Sequence, residues 1–367
     1  MSPSAAASER SLERPPDMRA GDGGHLSRGR IGFVTLISLL VMVLVIVVLF
    51  SLATGAVRVS PGAILAALFG RHPLTATQQI ILLQIRLPRV LASAVVGAAL
   101  AVSGLMFQGL FRNPMADPYV IGSSGGAVLG ACIGIFFFSQ LSFLGFSATA
   151  LLAFAGSVIT MAIVYSLARS GGRTNVITLL LAGFAVSTML GYSSYLFELF
   201  DSSSGSNHLI LLSWLHGVIG IPRWTQLLVT GALLLFGTLV AMPLMRRLNT
   251  LALGDEYAHQ LGLKVEHTRV GIILTGSLLT AVAVSLGGLI SFAGLIVPHV
   301  ARLLLGPDHV RLLPVTALSG AIFLVIADTL ARSVLAPTEI PVGILMAFIG
   351  GPFFLYLLRK TKRSYTL

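Results

Sequence analysis

The stretch Ile31–Val57, IGFVTLISLLVMVLVIVVLFSLATGAV, contains no Asp, Glu, Lys or Arg. A helix of about 20 apolar residues is long enough to cross the hydrocarbon core of a bilayer. Charged side chains are costly in lipid, so the gaps between charges mark out membrane spans along a chain. The stretch therefore predicts a membrane-spanning helix near residues 31–51.

Nine further apolar spans follow from the same rule. They lie between Arg89 and Arg112, in two parts of 118–168, at 174–197, at 224–245, in two parts of 270–301, at 312–331 and at 340–358. Small and polar residues at 139–147 divide the first long run, and Gly287-Gly288 divides the second. Continuous apolar runs favour helices over a closed barrel, which needs alternating strands. The sequence predicts an all-α polytopic membrane protein of about ten transmembrane helices.

The composition of the 367-residue chain agrees with this fold class. Hydrophobic residues make up 55% of the chain and charged residues only 10%. Soluble domains carry roughly 25% charged residues, so soluble enzymes and DNA-binding modules are excluded. The single cysteine, Cys132, permits no intrachain disulfide and no cysteine-based metal cluster, and we expect no metal site.

The basic residues predict the orientation of the spans. With both termini in the cytoplasm, 18 of the 24 Lys and Arg residues lie inside, as the positive-inside rule requires. This placement accounts for the net charge of +11 without nucleic acid. Spans 2–5 and 7–10 then have opposite orientations, as inverted repeats do. Residues 1–30 are expected to be a disordered basic cytoplasmic tail, and 361–367 a cytoplasmic C-terminal tail.

Several features of other transporters are missing from the sequence. It has no G-x-x-x-x-G-K-[ST] phosphate loop, so the chain does not bind ATP by that route. Proton-driven carriers generally need a chain of intramembrane acids or histidines, whereas Asp328 is the main acid within these spans. The sequence favours a transporter powered by another subunit. A self-contained secondary carrier is the alternative from another class.

Three long motifs carry a resemblance to a known family. They are RLPRVLASAVVGAALAVSGLMFQGLFRNPMADPYVIGSSGGAVLGA from Arg86, LALGDEYAHQLGL from Leu251, and SLGGLISFAGLIVPHVARLLLGPDH from Ser285, continued by TEIPVGILMAFIGGPFF from Thr338. In this order they closely resemble the FecCD-like permeases, the membrane subunits of type II ABC importers for iron chelates, haem and vitamin B12. The resemblance covers nearly everything after residue 30 and implies a ten-helix permease domain at 31–360.

The resemblance also implies partners and a location. It implies a homodimeric pathway in the bacterial inner (plasma) membrane, two ATP-binding cassette subunits inside and one periplasmic or lipid-anchored substrate-binding protein outside. The chain would be no enzyme and would hold no cofactor, since ATP and Mg bind the partner ATPase. Its other surroundings would be membrane lipid, without nucleic acid. The expected cargo is a ferric siderophore, with haem and vitamin B12 as alternatives.

A short helix is expected within the cytoplasmic loop at 247–268. By pattern alone it is either a solvated loop helix or a docking element. The resemblance makes it the element that couples the permease to the ATPase, through Gly254, Asp255, Glu256, Ala258, Leu261 and Gly262. Ala258 and Leu261 are expected to supply its apolar contacts, and the two glycines its tight turns.

Two further sets of residues are candidates for function. The two prolines of 113–118 predict a stiff, non-helical turn, and the resemblance implies that Asn113, Met115, Val176 and Ile177 form an inner gate. Arg86, Arg89 and Arg332 lie at span ends on the outer side. They either anchor helix ends by snorkelling, with Arg332 paired to Asp328 on the same helix face, or, as the resemblance implies, dock the acidic lobes of the binding protein.

The segment Gly122–Gly126, GSSGG, is expected to allow close helix packing and not to bind phosphate. His299, after Pro298, is expected to be a hydrogen-bonded core histidine and not a metal ligand.

Overall fold

The computed structural model describes residues 23–55, 59–60, 62–64, 75–143, 145–170, 173–199, 206–336 and 338–364. The helices are α1 (Gly23–Ala53), α2 (Ala76–Ile80), α3 (Leu87–Phe111), α4 (Ser123–Phe138), α5 (Ala148–Ala168), α6 (Val176–Leu199), α7 (Ser206–Leu215), α8 (Trp224–Leu251), α9 (Asp255–Gln260), α10 (Val265–Gly287), α11 (Ala293–Leu305), α12 (His309–Ser333) and α13 (Val342–Ser364). A π-helical turn, Ile81–Arg86, joins α2 to α3, and a 3-10 turn, Pro118–Ile121, precedes α4. Antiparallel hairpins pair β1 (Ser142–Phe143) with β2 (Phe146–Ser147) and β3 (Arg169–Ser170) with β4 (Arg173–Thr174).

The expected fold class is confirmed. Among the described residues, seven helical segments are long and apolar enough to cross a membrane, and α4, α11 and α13 are shorter apolar helices. Together they correspond to the ten predicted spans. The divisions are also where the sequence placed them, because the β1–β2 hairpin separates α4 from α5 and α10 ends at Gly287. The sequence prediction missed α7, which at ten residues is too short to span a bilayer.

The ends of the chain differ in detail from the predicted boundaries. Helix α1 begins at Gly23, inside the segment expected to be a tail, and residues 1–22 lie outside the described residues. The part of α1 up to Leu39 belongs to a compact unit separate from the rest of the chain. At the other end, α13 continues past residue 360 to Ser364, and the rest of the expected C-terminal tail lies outside the described residues.

Helix α3 is the centre of the packing and contacts α8, α10, α11 and α12. Glycines allow these close approaches. A Cβ atom on Gly97 would overlap the carbonyl oxygen of Gly320 in α12, and one on Gly104 would overlap that of Gly294 in α11. In lipid the hydrophobic effect does not drive helices together, so their association is stabilised by the close van der Waals packing of small residues.

The predicted GSSGG packing segment is confirmed in the same way. A side chain on Gly125 would overlap the backbone of Ser187 in α6, and one on Gly126 would overlap the carbonyl of Gly156 in α5. The start of α4 is therefore wedged between α5 and α6.

The helix pairs correspond between the two halves. In an inverted repeat of spans 2–5 and 7–10, α3 corresponds to α10, α4 to α11 and α5 to α12. Helix α3 packs on α12, and correspondingly α10 packs on α5; likewise α4 packs on α5, and α11 packs on α12. This is the pairing expected if spans 2–5 and 7–10 form an inverted repeat. The orientation of the termini stays a prediction from charge.

Candidate coupling and gating site

The short helix α9 lies between two glycines, as predicted. Gly254 has φ +115° and Gly262 has φ +80°, a region of backbone conformation that glycine adopts without steric cost. Asp255 and Glu256 occupy the first turn, where the helix dipole favours acidic side chains. The sequence of the loop therefore defines both ends of the helix.

Three exposed apolar side chains lie on α9 and immediately outside its two ends, Leu253, Tyr257 and Leu261, and we call this set the coupling row. They recur every fourth residue and are 63%, 66% and 68% exposed. Ala258, by contrast, is 0% exposed. Helix α9 packs on α8 and α10, and the small side chain of Ala258 is buried in that packing. Ala258 therefore cannot supply the external contact expected of it.

Asp255 ties α9 to two other helices. Its Oδ1 accepts a hydrogen bond from Arg112 Nη2 at 2.9 Å, and its Oδ2 accepts one from Arg269 Nη2 at 2.5 Å. Arg112 is the C-cap of α3 and also donates to the carbonyl of Leu251 at 2.6 Å. Arg269, on α10, donates to the carbonyl of Thr174 at 3.2 Å. One half-exposed carboxylate therefore connects α9 to the ends of α3 and β4.

Glu266 on α10 extends this network towards α6. Its carboxylate accepts hydrogen bonds from the backbone N–H of Thr174 at 3.1 Å and from the Thr174 hydroxyl. The Tyr165 hydroxyl donates to the same carboxylate at 3.4 Å. Because Thr174 lies two residues before α6, the network connects α9 to the start of that helix.

The two predicted gate segments share a local geometry. Asn113 Oδ1 accepts from the N–H of Met115 at 2.9 Å, and Asn175 Oδ1 accepts from the N–H groups of Ile177 and Thr178 at 2.9 and 3.2 Å. An asparagine that bonds the backbone two residues on makes an Asx-turn, which fixes the chain without a helix. The non-helical turn predicted at 113–118 is present from 113 to 117, and Pro118 begins the 3-10 turn.

The side chains of the gate segments have different surroundings. Ile177 is 69% exposed, and Val176 beside it is partly buried. Met115 packs against a cluster built on Leu295, Ile296 and Leu357. The segment at 113–115 therefore contacts α11 and α13, whereas Ile177 at the start of α6 lies open.

A groove of about 820 Å³ lies beside α9. Its lining is Asp255, Glu256, His259, Gln260, Lys264, Val265, Glu266, His267 and Arg269. Charged residues of both signs line it, so it suits a polar protein surface. Among the described residues, no group of three or more His, Cys, Asp or Glu side chains could hold a metal ion.

The outer arginines are held mainly by partners within the chain. Arg89 forms ion pairs with Asp328 at 3.1 Å and with Glu339 at 2.8 Å. Arg332 pairs with Asp328 at 3.0 Å, which confirms the predicted pair on one helix face, and donates to Ser51 Oγ at 2.8 Å. Asp328 is buried, whereas Glu339 is half-exposed.

Arg86 is buried within the protein. It is 6% exposed and donates to the carbonyl of Leu52 in α1 at 2.7 Å. The sequence identified the three arginines, but it did not show that Arg89 would share Asp328 with Arg332 or reach Glu339.

The network around α9 was likewise missed by the sequence reasoning. Asp255 was identified as a residue of the coupling helix, but nothing indicated that it would meet Arg112 and Arg269, or that Glu266 would hold Thr174. The one available signal was that these residues all lie in cytoplasmic segments of the predicted topology.

The fold and the site define a multi-pass helical permease whose short connecting helix is tied by ion pairs to two membrane segments. Residues 43–360 match the FecCD transport family, and the chain belongs to this family. It is a permease subunit of an ABC importer for an iron chelate, haem or vitamin B12, lies in the plasma membrane and is not itself catalytic. Family membership excludes the secondary carrier.

Three relatives are named for three different cargoes. The cobalamin import permease BtuC of Halobacterium salinarum is 46% identical over 287 residues, which cover 78% of this chain and 75% of the relative. The hemin transport permease HmuU of Yersinia pestis is 42% identical over 285 residues, or 77% and 84% of the two chains. The iron(3+)-hydroxamate import permease FhuG of Bacillus subtilis is 37% identical over 333 residues, or 89% and 98%.

Two solved structures have the same fold. A metal-chelate-type ABC transporter in an inward-facing conformation is 32% identical, with a TM-score of 0.77, and the match covers 89% of this chain and 99% of that one. PsaBC from Streptococcus pneumoniae, in complex with Fab, is 15% identical with a TM-score of 0.52, covering 76% and 93%. At this identity the second structure supports the fold alone.

Proposed function

We propose that two copies of this chain form a pathway for an iron chelate, with a ferric siderophore as the first cargo to test. Two ATP-binding subunits bind on the side of α9, and one substrate-binding protein binds on the opposite side. The names of the Yersinia and Bacillus relatives, which refer to hemin and iron hydroxamate, support iron as part of the cargo. The Halobacterium relative, named for cobalamin, supports vitamin B12 as the alternative.

The observation that carries the coupling proposal is the arrangement of α9. Its coupling row is exposed, while Asp255 on the same helix is bonded to Arg112 and Arg269. A partner that grips Leu253, Tyr257 and Leu261 therefore moves a helix that is already connected to α3 and α10. In the proposed mechanism, ATP hydrolysis in the partner moves α9, and the ion pairs pass that movement on.

The same network leads to the proposed gate at Asn113, Met115, Val176 and Ile177. Arg112 immediately precedes Asn113, and Thr174, held by Glu266 and Arg269, lies two residues before Val176. Both gate segments are thus within one or two residues of a side chain in the network. We infer that they open and close together when α9 moves.

Helix α6 supports a pathway between two copies. Most of its surface is exposed, including Phe184, Tyr192 and Tyr195, and the two tyrosine rings are 6.0 Å apart. A polar group without a hydrogen-bond partner is costly in hydrocarbon, and a tyrosine hydroxyl that faces lipid tails has none. A water-filled pathway lined by α6 of both copies removes that cost.

On the outer side, we propose Arg86, Arg89 and Arg332 as the docking set for the binding protein. Arg89 is the best placed of the three, because its partner Glu339 is half-exposed. A carboxylate on the binding protein can compete with Glu339 for the same guanidinium. The side chains of Arg89 and Arg332 are buried to a similar degree, 11% and 9% exposed, so the two differ mainly in the exposure of their partners. Arg86 and Arg332 also bond Leu52 and Ser51 of α1, and their part is to anchor α3 and α12 to that helix.

The coupling proposal is tested by Leu261→Asp, which places a charge in the coupling row. We expect ATP-driven uptake and co-purification of the ATPase to be lost, while the permease still inserts in the membrane. Gln260→Asp adds the same charge to the same helix outside the row, in the groove that already holds charges of both signs, and as the matched control it should lower uptake much less. Normal uptake with a bound ATPase in Leu261→Asp contradicts the proposal.

The cargo is tested separately with the purified substrate-binding protein that docks on this permease. Its affinity for a ferric siderophore, haem and vitamin B12 is measured by titration. Binding of the siderophore supports the first cargo, whereas binding of haem or vitamin B12 alone replaces it.

A further inference from the structure

A second groove, of about 680 Å³, lies between α8 and α12, away from the coupling row and the gate. Its lining is Thr238, Met242, Pro243, Arg246, Arg247, Val310, Leu313 and Pro314. The lining is mostly apolar along the helices. The two arginines stand at the end of α8 that leads into α9, so the groove has one cationic end.

Hydrogen bonds fix the two walls of this groove together. Asn249, two residues after Arg247, donates from Nδ2 to Asp308 at 2.7 Å and accepts from the backbone N–H of His309 at 2.9 Å. Its Oδ1 also bonds the His309 ring at 2.8 Å. The ends of α8 and α12 are therefore tied together beside the arginines, and the groove is a built feature of the fold.

Each wall also contains a proline inside a helix. Pro243 in α8 and Pro314 in α12 both line the groove. A proline lacks the N–H that would bond the carbonyl four residues back, and its ring crowds that carbonyl. The two helices therefore cannot pack as regular cylinders at this level, which leaves space between them.

The arginines at the cationic end are available to an anionic ligand. Arg246 and Arg247 are exposed, and within the described part of the chain neither forms an ion pair. Arg311, on α12, pairs with Asp308 at 3.6 Å. Basic pockets between membrane helices on the cytoplasmic side suit anionic lipid head groups.

We propose that this groove binds one anionic phospholipid, whose phosphate pairs with Arg246 and Arg247 and whose acyl chain lies between α8 and α12. The apolar lining gives an acyl chain a surface that a free phosphate would not use. On α8 the groove begins at Thr238, within the charge-free stretch from Trp224 to Met245 that the sequence predicts to lie in lipid. A soluble partner that docks on α9 does not reach that depth.

The test compares phosphatidylglycerol with phosphatidylcholine of the same acyl chains, using native mass spectrometry of the purified full-length permease. We expect the wild type to retain phosphatidylglycerol in preference to phosphatidylcholine. Each arginine near a membrane surface contributes roughly fivefold, so Arg246→Gln with Arg247→Gln should weaken retention about 25-fold. Met242→Trp should also lower occupancy, since it fills the groove and leaves both charges in place.

Arg359→Gln, which removes one exposed charge from α13 outside the groove, is the control and should leave retention unchanged. Equal retention of the two lipids by the wild type overturns the proposal. So does a loss in Arg359→Gln as large as that in Arg247→Gln alone, because it would reflect net charge only. A photo-crosslinker at position 242 that captures protein instead of lipid shows that another subunit covers the groove and also overturns it.

Discussion

Replacing Asp255 with Asn tests whether the ion pairs of α9 carry movement. Asparagine has nearly the same shape but no charge, so both pairs, with Arg112 and with Arg269, are lost together. The carboxylate is 48% exposed, and exposed pairs contribute roughly 0.5 kcal/mol each. The total loss is about 1 kcal/mol, a small part of the roughly 5–15 kcal/mol that stabilises a folded domain. We therefore expect Asp255→Asn to insert and fold normally.

Uptake should respond more strongly than folding. If the pairs transmit the movement of α9, a loss of about 1 kcal/mol at the rate-limiting step slows transport about fivefold. The assay is ATP-driven uptake in proteoliposomes that contain the permease with its ATPase, measured beside the rate of ATP hydrolysis. We expect hydrolysis to continue while uptake falls, which is uncoupling.

Two controls separate this mechanism from a general effect of charge. Glu256→Gln removes the neighbouring acid on the same helix, which forms no ion pair among the described residues, and should slow uptake less than Asp255→Asn because no ion pair is lost. Adding Arg112→Gln to Asp255→Asn should slow uptake little further, because residues that act through one interaction are not additive. Normal, tightly coupled uptake in Asp255→Asn would refute the reasoning.

Three further predictions concern stability and energy source. Asp328→Asn leaves Arg89 and Arg332 without their buried counter-charge and should destabilise the protein by roughly 3–5 kcal/mol. The measurement is the Tm in detergent, which should fall, and an unchanged Tm contradicts this prediction. Gly104→Ala forces a methyl group against a backbone carbonyl of α11 and should cost about 1–3 kcal/mol, whereas Gly351→Ala, in open space, should cost little. Uptake by vesicles should require ATP and survive a protonophore, and its loss at constant ATP would point to ion coupling.

The sequence was sufficient to predict the spans, because the cost of a charge in lipid depends only on where that charge lies along the chain. The break at Gly287-Gly288 followed from another local feature, a glycine pair inside a charge-free run that is too long for one helix. It could not identify α7, whose Ser206–Leu215 segment is apolar but too short to be recognised as a span. Nor could it place the start of α1, because α1 begins at Gly23, within a polar segment.

The candidate site was predicted only in part. The glycines at 254 and 262 predicted the ends of α9, since positive φ is a property of single residues. Which face of α9 is exposed depends on what packs beneath it: Ala258, expected to contact the ATPase, is buried, whereas Leu261 is exposed. A six-residue helix is too short for its apolar pattern to distinguish an inner face from an outer one.

The sequence by itself determined which helices span the membrane, because spanning depends on local hydrophobicity. It also determined the family, because the family motifs are continuous along the chain. The tertiary structure alone decided that Asp255 meets Arg112, 143 residues away, and that Arg89 meets Asp328, 239 residues away. Charge patterns cannot predict such pairs, because several arginines lie on each side of the membrane and each could satisfy the same acid. Packing selects among them, since close contacts such as that of α3 with α12 determine which side chains come within bonding distance.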